Sequence, residues 1–250
     1  MPDKRITIKL SPQLQNQLII MKKSLSLFVL IIFCSLTVLS QDCTLFIPGD
    51  VGTELHYEIK NAKGKLQAIY SQKIISIKEN AGETVFEMLQ IHKDPKHTEK
   101  IIMQDTIGFR CKGNEFFIDM EKYLNQKQME GFKNMEIKLT TDDLMYPSKL
   151  SPGMDLKDGS INLEVGSGLM NMTTTIINRK VEAFEKITTP AGNFECYKIS
   201  EDLKSKVGFI KVSMSNVTWI IQDIGTIRSE SYNKRGKLDT VTELVKIVRN

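Results

Sequence analysis

The sequence predicts an all-β protein: a mainly antiparallel sheet, curled or barrel-like, in a single domain with one short helical insertion. Three observations predict it. Short runs rich in Val, Ile, Thr and aromatic residues alternate with Gly, Pro and Asn turn chemistry along most of the chain. Two turns, NAKGK (Asn61–Lys65) and NKRGK (Asn233–Lys237), share one design, an opening Asn with a Gly three residues on. That pattern suits a type I turn closed by a left-handed Gly in a bulged hairpin loop. Finally, one stretch, Asp119–Met135, breaks this pattern, with no β-branched residue and apolar side chains at helical spacing.

The chain is 250 residues long, and its first 40 read as material outside the fold. Met21 is followed by Lys22 and Lys23, an apolar run from Leu25 to Leu39, and small residues at Val38 and Ser40 before Gln41. A basic start, a short apolar core and a small-residue cleavage site form a secretory signal peptide. The apolar run, at 1.5 Å rise per residue, reaches about 22 Å, short of the hydrocarbon core of a bilayer. The expectation is therefore translation from Met21, cleavage after Ser40 and a β-rich exported domain over 41–250 without a permanent membrane span. Phe33 before Cys34 and Asp42 before Cys43 are too large for a lipidation signal. Without residues 1–40 the chain holds 29 basic and 29 acidic residues, so its +4 net charge belongs to the leader. A balanced net charge gives no support to a nucleic-acid or anionic-membrane partner.

The elements follow in order. ELHYEI and LQAIYSQKIISI flank the first Asn-Gly turn, and GTIRSESY and LDTVTELVKIV flank the second. Between them, strands are expected at Thr84–Ile91, Glu99–Arg110, Glu115–Asp119, Met135–Thr140, Ile161–Val165, Met172–Lys186 and Phe194–Ser200. Val207–Gln222 reads as one long strand whose apolar phase slips at Ser215–Asn216, which predicts a bulge there. TTPAGNF supplies a tight turn. In Asp119–Met135, apolar residues at Met120, Tyr123, Leu124 and at Met129, Phe132, Met135 predict two short helical turns, with Asp119 and Asn125 as caps. Ser148–Ser160 reads as an exposed Pro/Gly loop, and the Gly-x-Gly of VGSGLMNM lacks the following helix of a phosphate loop.

Chemistry is sparse. IHKDPKH places His92 and His97 around a Pro turn, without the spacing of a metal site, and reads as an exposed hairpin tip. No nucleophile elbow or thiol-enzyme signature occurs, and Asp142 and Asp143, adjacent on a strand, point apart. No catalytic residue, metal or cofactor is expected. Cys43, Cys111 and Cys196 follow the leader, and an odd number leaves at least one unpaired within the chain. They read equally as buried thiols or as one bridge, for which Cys111–Cys196 is the first candidate because both lie in strand-like runs. Thr106 and Thr240 sit in Asp-Thr-aliphatic acceptor patterns for bacterial O-glycosylation, and ordinary strand residues are the simpler reading.

The stretches CTLFIPGDVGTELHYEIKNAKGKL, CKGNEFFIDMEKYL, NRKVEAFEKITTPAGNFECYKI and DIGTIRSESYNKRGKL together resemble the TapB-like exported bacterial proteins, most specifically over Val181–Ile199. The resemblance implies export and a β-rich domain and supplies no catalytic residues. Nearly all of the 12 Met residues fall after the leader, where they fill a core or line an adaptable pocket. The functional expectation is a non-enzymatic protein of the periplasm or cell envelope, or a secreted one. It would hold an apolar small molecule or engage an envelope protein or glycan. Trp219, Tyr197, Phe194, Phe132 and Met129 are the candidate pocket lining. A structural or interaction protein without a pocket, and a hydrolase, are the rival readings.

Overall fold

Turn chemistry settles two hairpins of the sheet. Asn61 Oδ1 accepts hydrogen bonds from the backbone N–H groups of Lys63 and Lys65, both at 3.0 Å, and Gly64 takes a φ of +76°. Asn233 repeats the arrangement with Arg235 at 2.9 Å, Lys237 at 3.3 Å and Gly236 at +69°. An L residue with a Cβ resists that backbone angle, and the Asn carbonyl satisfies two donors the turn would otherwise leave open. Replacing Asn233 by Ala is expected to cost about 1 kcal/mol, read as a lower urea midpoint at unchanged slope.

The structure is a computed structural model describing residues 43–249 apart from 125–128, 130, 133 and 169. The leader reading and the proposed Asn125 cap lie outside the described residues. Five strands come first: β1 (Glu54–Asn61), β2 (Leu66–Asn80), β3 (Glu83–Lys93), β4 (Ile101–Lys112) and β5 (Glu115–Ile118). After the 3-10 turn Glu121–Tyr123 come β6 (Ile137–Asp142), β7 (Leu144–Pro147), β8 (Gly159–Val165) and β9 (Met170–Thr189). The last four are β10 (Gly192–Val207), β11 (Ile210–Ile221), β12 (Gly225–Asn233) and β13 (Leu238–Val248). They form one antiparallel sheet in the order β6-β8-β9-β10-β11-β12-β13-β1-β2-β3-β4-β5-β7. Its two edge strands, β6 and β7, are consecutive in the chain and separated by Asp143 alone. The sheet therefore curls into a nearly closed barrel, joined across its seam by the backbone at Asp143. The Asp143 carboxylate accepts from Arg110 on β4 and from the Met120 backbone N–H at 3.0 Å. Asp142 faces away and accepts from Ser160 at 2.8 Å.

The helical insertion is small, as its sequence predicts. Asp119 Oδ1 accepts from the N–H groups of Glu121 and Lys122, and Lys122 reaches Glu87 on β3 at 3.1 Å.

Three expectations need correction. Val207–Gln222 is not one strand: the chain turns at Gly208 and Phe209, so β10 runs on to Val207 and β11 starts at Ile210. The register shift lies between Trp219 and Ile220, not at Ser215–Asn216. Ser148–Ser160 is not a free loop. Gly153 and Leu156 donate to the carbonyls of Val181 and Arg179, Val181 donates to Met154, and Leu150 and Leu156 are buried. The loop is a strap along β9, because a bulge there leaves backbone groups for it. Asn178, at φ +57°, opens that bulge opposite Ser200–Asp202. Ile176 is buried before it, Arg179 and Val181 after it, so the inward phase changes by one residue. This is how a charged side chain comes to lie inside the barrel wall.

Candidate functional site

A cavity of about 370 Å³ lies within the part of the sheet running from β11 round to β7. Strand alternation builds it. On β3, Phe86 and Met88 are buried, and Gln90 and His92 continue the same inward phase. On β4 the inward residues are Ile107, Phe109 and Cys111; on β5, Phe116 and Ile118. One part of the cavity is apolar, with Phe46, Ile47, Met88, Phe109 and Phe116. Phe109 stacks on Phe116 at 5.7 Å, and Phe46 meets Phe116 edge-on at 6.0 Å. Gly225 is required at this floor, because a Cβ on it would lie 2.6 Å from the Phe46 carbonyl oxygen.

The other part is polar. Gln72 donates to Gln90 at 2.8 Å, and Gln90 Nε2 lies 2.6 Å from His92 Nε2. With the amide nitrogen facing the ring, His92 Nε2 serves as the acceptor. Tyr70 stacks between Tyr57 at 4.6 Å and His92 at 4.9 Å. Burial lowers the His92 pKa, with the Asp105 carboxylate opposing the shift. His92 is therefore half-buried inside the barrel rather than on an exposed tip, and only His97 lies out at the turn. The row was legible in principle: Gln90 and His92 are two polar residues in phase with two apolar ones on one strand.

The residues singled out from sequence lie elsewhere, and none of the five lines this cavity. Trp219 is buried with Cys196, Leu55, Tyr57, Ile227 and Leu244, with Phe194 packed against that cluster. The Trp219 indole N–H donates to Glu185 at 2.7 Å, and Lys198 lies 5.4 Å above its ring. Tyr197 is partly buried and meets Phe184 at 4.8 Å. Met129 and Phe132 belong to the turns after the 3-10 segment, half-buried, with Phe132 donating to the Met129 carbonyl at 3.0 Å. Of the Met residues, Met88 contributes to the lining. Thr106 and Thr240 are half-buried in paired strands, opposite Leu89 and Asn61.

The disulfide also differs from expectation: Cys43 is bonded to Cys111, and Cys196 is a buried free thiol. Cys111 points into the barrel near the floor, where the segment 43–47 runs, while Cys196 sits in the separate cluster around Trp219. Burial pushes the Cys196 thiol up to about 11. Among the described residues no group of three or more His, Cys, Asp or Glu is placed to hold a metal ion.

Two solved structures share this fold. A candidate exported protein with YmcC-like fold from Bacteroides fragilis is 21% identical, with a TM-score of 0.65 over 83% of this chain and all of its own. A candidate lipoprotein from Parabacteroides distasonis is 24% identical, with a TM-score of 0.66 over the same shares. No curated protein matches the sequence. The family model described as DUF3108-like matches residues 50–244, from just before β1 to near the end of β13. That span takes in every strand that lines the cavity, and the chain belongs to the DUF3108-like family.

Proposed function

We propose that the chain is an exported, non-catalytic binding protein of the cell envelope whose barrel holds an amphiphile. A hydrocarbon part lies against Phe46, Phe109 and Phe116, and a polar head lies beside the Gln72–Gln90–His92 row. The observation that carries this reading is the cavity, whose 370 Å³ falls in the size range of small-molecule sites and whose lining is divided between apolar and polar groups. Export is supported by the signal-peptide pattern of Met21–Gln41 and by the two structural neighbours, one described as a candidate exported protein and the other as a candidate lipoprotein. The Cys43–Cys111 bridge supports an oxidising compartment. Against catalysis stands the Gln90 amide on His92 Nε2, which occupies the lone pair a general base would use.

The test is titration with cis-parinaric acid, a fluorescent fatty acid, backed by native mass spectrometry of the purified protein. One equivalent is expected to bind, and Ile107→Trp, which fills the cavity from β4, is expected to weaken binding at least about tenfold. Absence of binding, or equal binding by the filled variant, would overturn the reading.

A further inference from the structure

The hairpin tip joining β10 to β11 breaks the rule that turns are polar. Phe209 is 103% exposed and Ile210 70%, with Val207 and Val212 also exposed beside them. The tip projects: β11 pairs with β12 only from Met214 onward, so residues 210–213 run beyond it, about 13 Å of strand. A monomeric soluble protein rarely presents clustered apolar side chains without a use for them.

The registers show what surrounds this tip. Met214 pairs with Asn233, Thr240 with Asn61, Lys60 with Leu66, Ile69 with Lys93 and Lys93 with Ile101. The 208–209 tip, both Asn-Gly turns and the 94–100 connection therefore lie at one end of the sheet. Exposed Ile101 and Ile102 begin β4 at that same end. Over residues 60–65, 93–100, 204–211 and 233–239, these tips carry twelve Lys or Arg against three Asp or Glu. The turns at the opposite end, over 80–83, 112–115, 190–193 and 222–225, carry one Lys against three acids. The equal totals of charge after the leader thus conceal a strong polarity along the strands. Lysines alone would be ordinary protection of an exposed strand edge. A fully exposed Phe beside an exposed Ile is not protection, because it invites contact.

We propose that this end docks on the surface of an anionic lipid bilayer. Phe209 and Ile210 enter the interface, and Lys204, Lys206, Lys211 and the basic Asn-Gly turns contact the phosphate headgroups. Apolar insertion and attraction to anionic lipid are the two contributions that hold a peripheral protein on a membrane. A lysine held near such a surface strengthens binding roughly fivefold, and the effect decays within a Debye length. The inference goes beyond the cavity reading and stands whether or not the cavity is filled.

The test is vesicle flotation, using the protein purified from its producing cell, with every variant compared in the same N-terminal form. Vesicles are phosphatidylcholine alone or with about 30% phosphatidylglycerol, at about 0.05 and 0.5 M salt. The wild type is expected to partition at least about tenfold better onto the anionic vesicles, and high salt to remove most of that gain. Phe209→Ser with Ile210→Ser, and separately Lys206→Glu with Lys211→Glu, should each lose about tenfold or more. Circular dichroism and Tm should stay unchanged, since these side chains are exposed. Failure of the wild type to float with anionic vesicles overturns the proposal, as does equal flotation with neutral ones or by the variants. So does a concentration-dependent dimer that the Ser variants abolish while lipid binding is absent, which would mean that the tip pairs copies of the chain.

Discussion

Replacing Arg179 by Met is expected to destabilise the fold by about 3–5 kcal/mol, the range for breaking a buried ion pair from one side. Arg179 is 1% exposed and ties four parts of the barrel together. Its Nε lies 3.4 Å from Glu201 on β10, and Nη1 donates to the carbonyls of Met145 on β7 and Lys157 in the strap. Its guanidinium stacks on Tyr146 at 4.8 Å. Met fills the space but takes this donor from both carbonyls, and it leaves Glu201, which keeps its Asn216 hydrogen bond, in a site that already disfavours its charge. Burial raises the Glu201 pKa, and Arg179 is the main opposing influence. The pH dependence follows from that direction. A carboxyl whose folded pKa is raised holds more protons folded than unfolded above its ordinary range, so stability falls as pH rises through that window. Without Arg179 the folded pKa rises further and the window widens upward. The deficit of the variant should therefore be largest near pH 7 and shrink as pH falls toward the carboxylate range. Urea titrations at several pH values check this, and Glu201→Gln in the same chain should recover part of the loss. A pH-independent deficit, or no recovery in the double variant, would refute the assignment of Arg179 as the partner of a buried charge.

What the sequence made legible was whatever local chemistry determines. The two Asn-Gly turns, the Pro190–Ala191 turn and the short helical insertion each depend on a few neighbouring residues, and each stands where it was read. The cavity depends on which faces of nine distant strands meet, which no single run records. Its signal was present but faint, in the inward phase that continues from Phe86 and Met88 to Gln90 and His92. The Asn178 bulge was hidden for a related reason: a single left-handed Asn changes which of Ile177, Asn178 and Arg179 faces inward, and nothing around it announces a turn. The β10–β11 tip was missed because Val207, Phe209 and Ile210 read as strand, with Gly208 the only punctuation. That failure is informative. Local rules fail most often where function has overridden them, and this is the tip assigned above to a membrane surface.

Reducing the Cys43–Cys111 bond, or replacing Cys43 by Ala, should remove about 4 kcal/mol of stability on the chain-entropy model for a separation of 68 residues. For a chain of this size that corresponds to a fall in Tm of roughly 10 °C. The pairing failed as a sequence inference because Cys43 precedes the first strand, in a segment with no strand pattern, and its partner is set only when that segment packs into the barrel. There Leu45 accepts from the Asp223 N–H at 3.0 Å, and Phe46 and Ile47 close the apolar floor of the cavity. The bond thus holds the floor as well as limiting the unfolded chain. Hydrogen exchange separates the two roles: if the bond pins the floor, the amides of residues 45–47 should exchange faster after reduction while those of β12 and β13 stay protected under native conditions. Loss of fatty-acid binding should accompany that opening, at temperatures where the barrel remains folded. Thiol labelling supplies a control. Cys196 is buried with its pKa pushed up to about 11, so the oxidised protein without residues 1–40 should take up no iodoacetamide when native and a single equivalent when unfolded. A reduced protein with unchanged Tm and unchanged exchange at residues 45–47 would show that the floor is held by its packing alone, and rapid labelling of native Cys196 would contradict its burial in the separate cluster around Trp219.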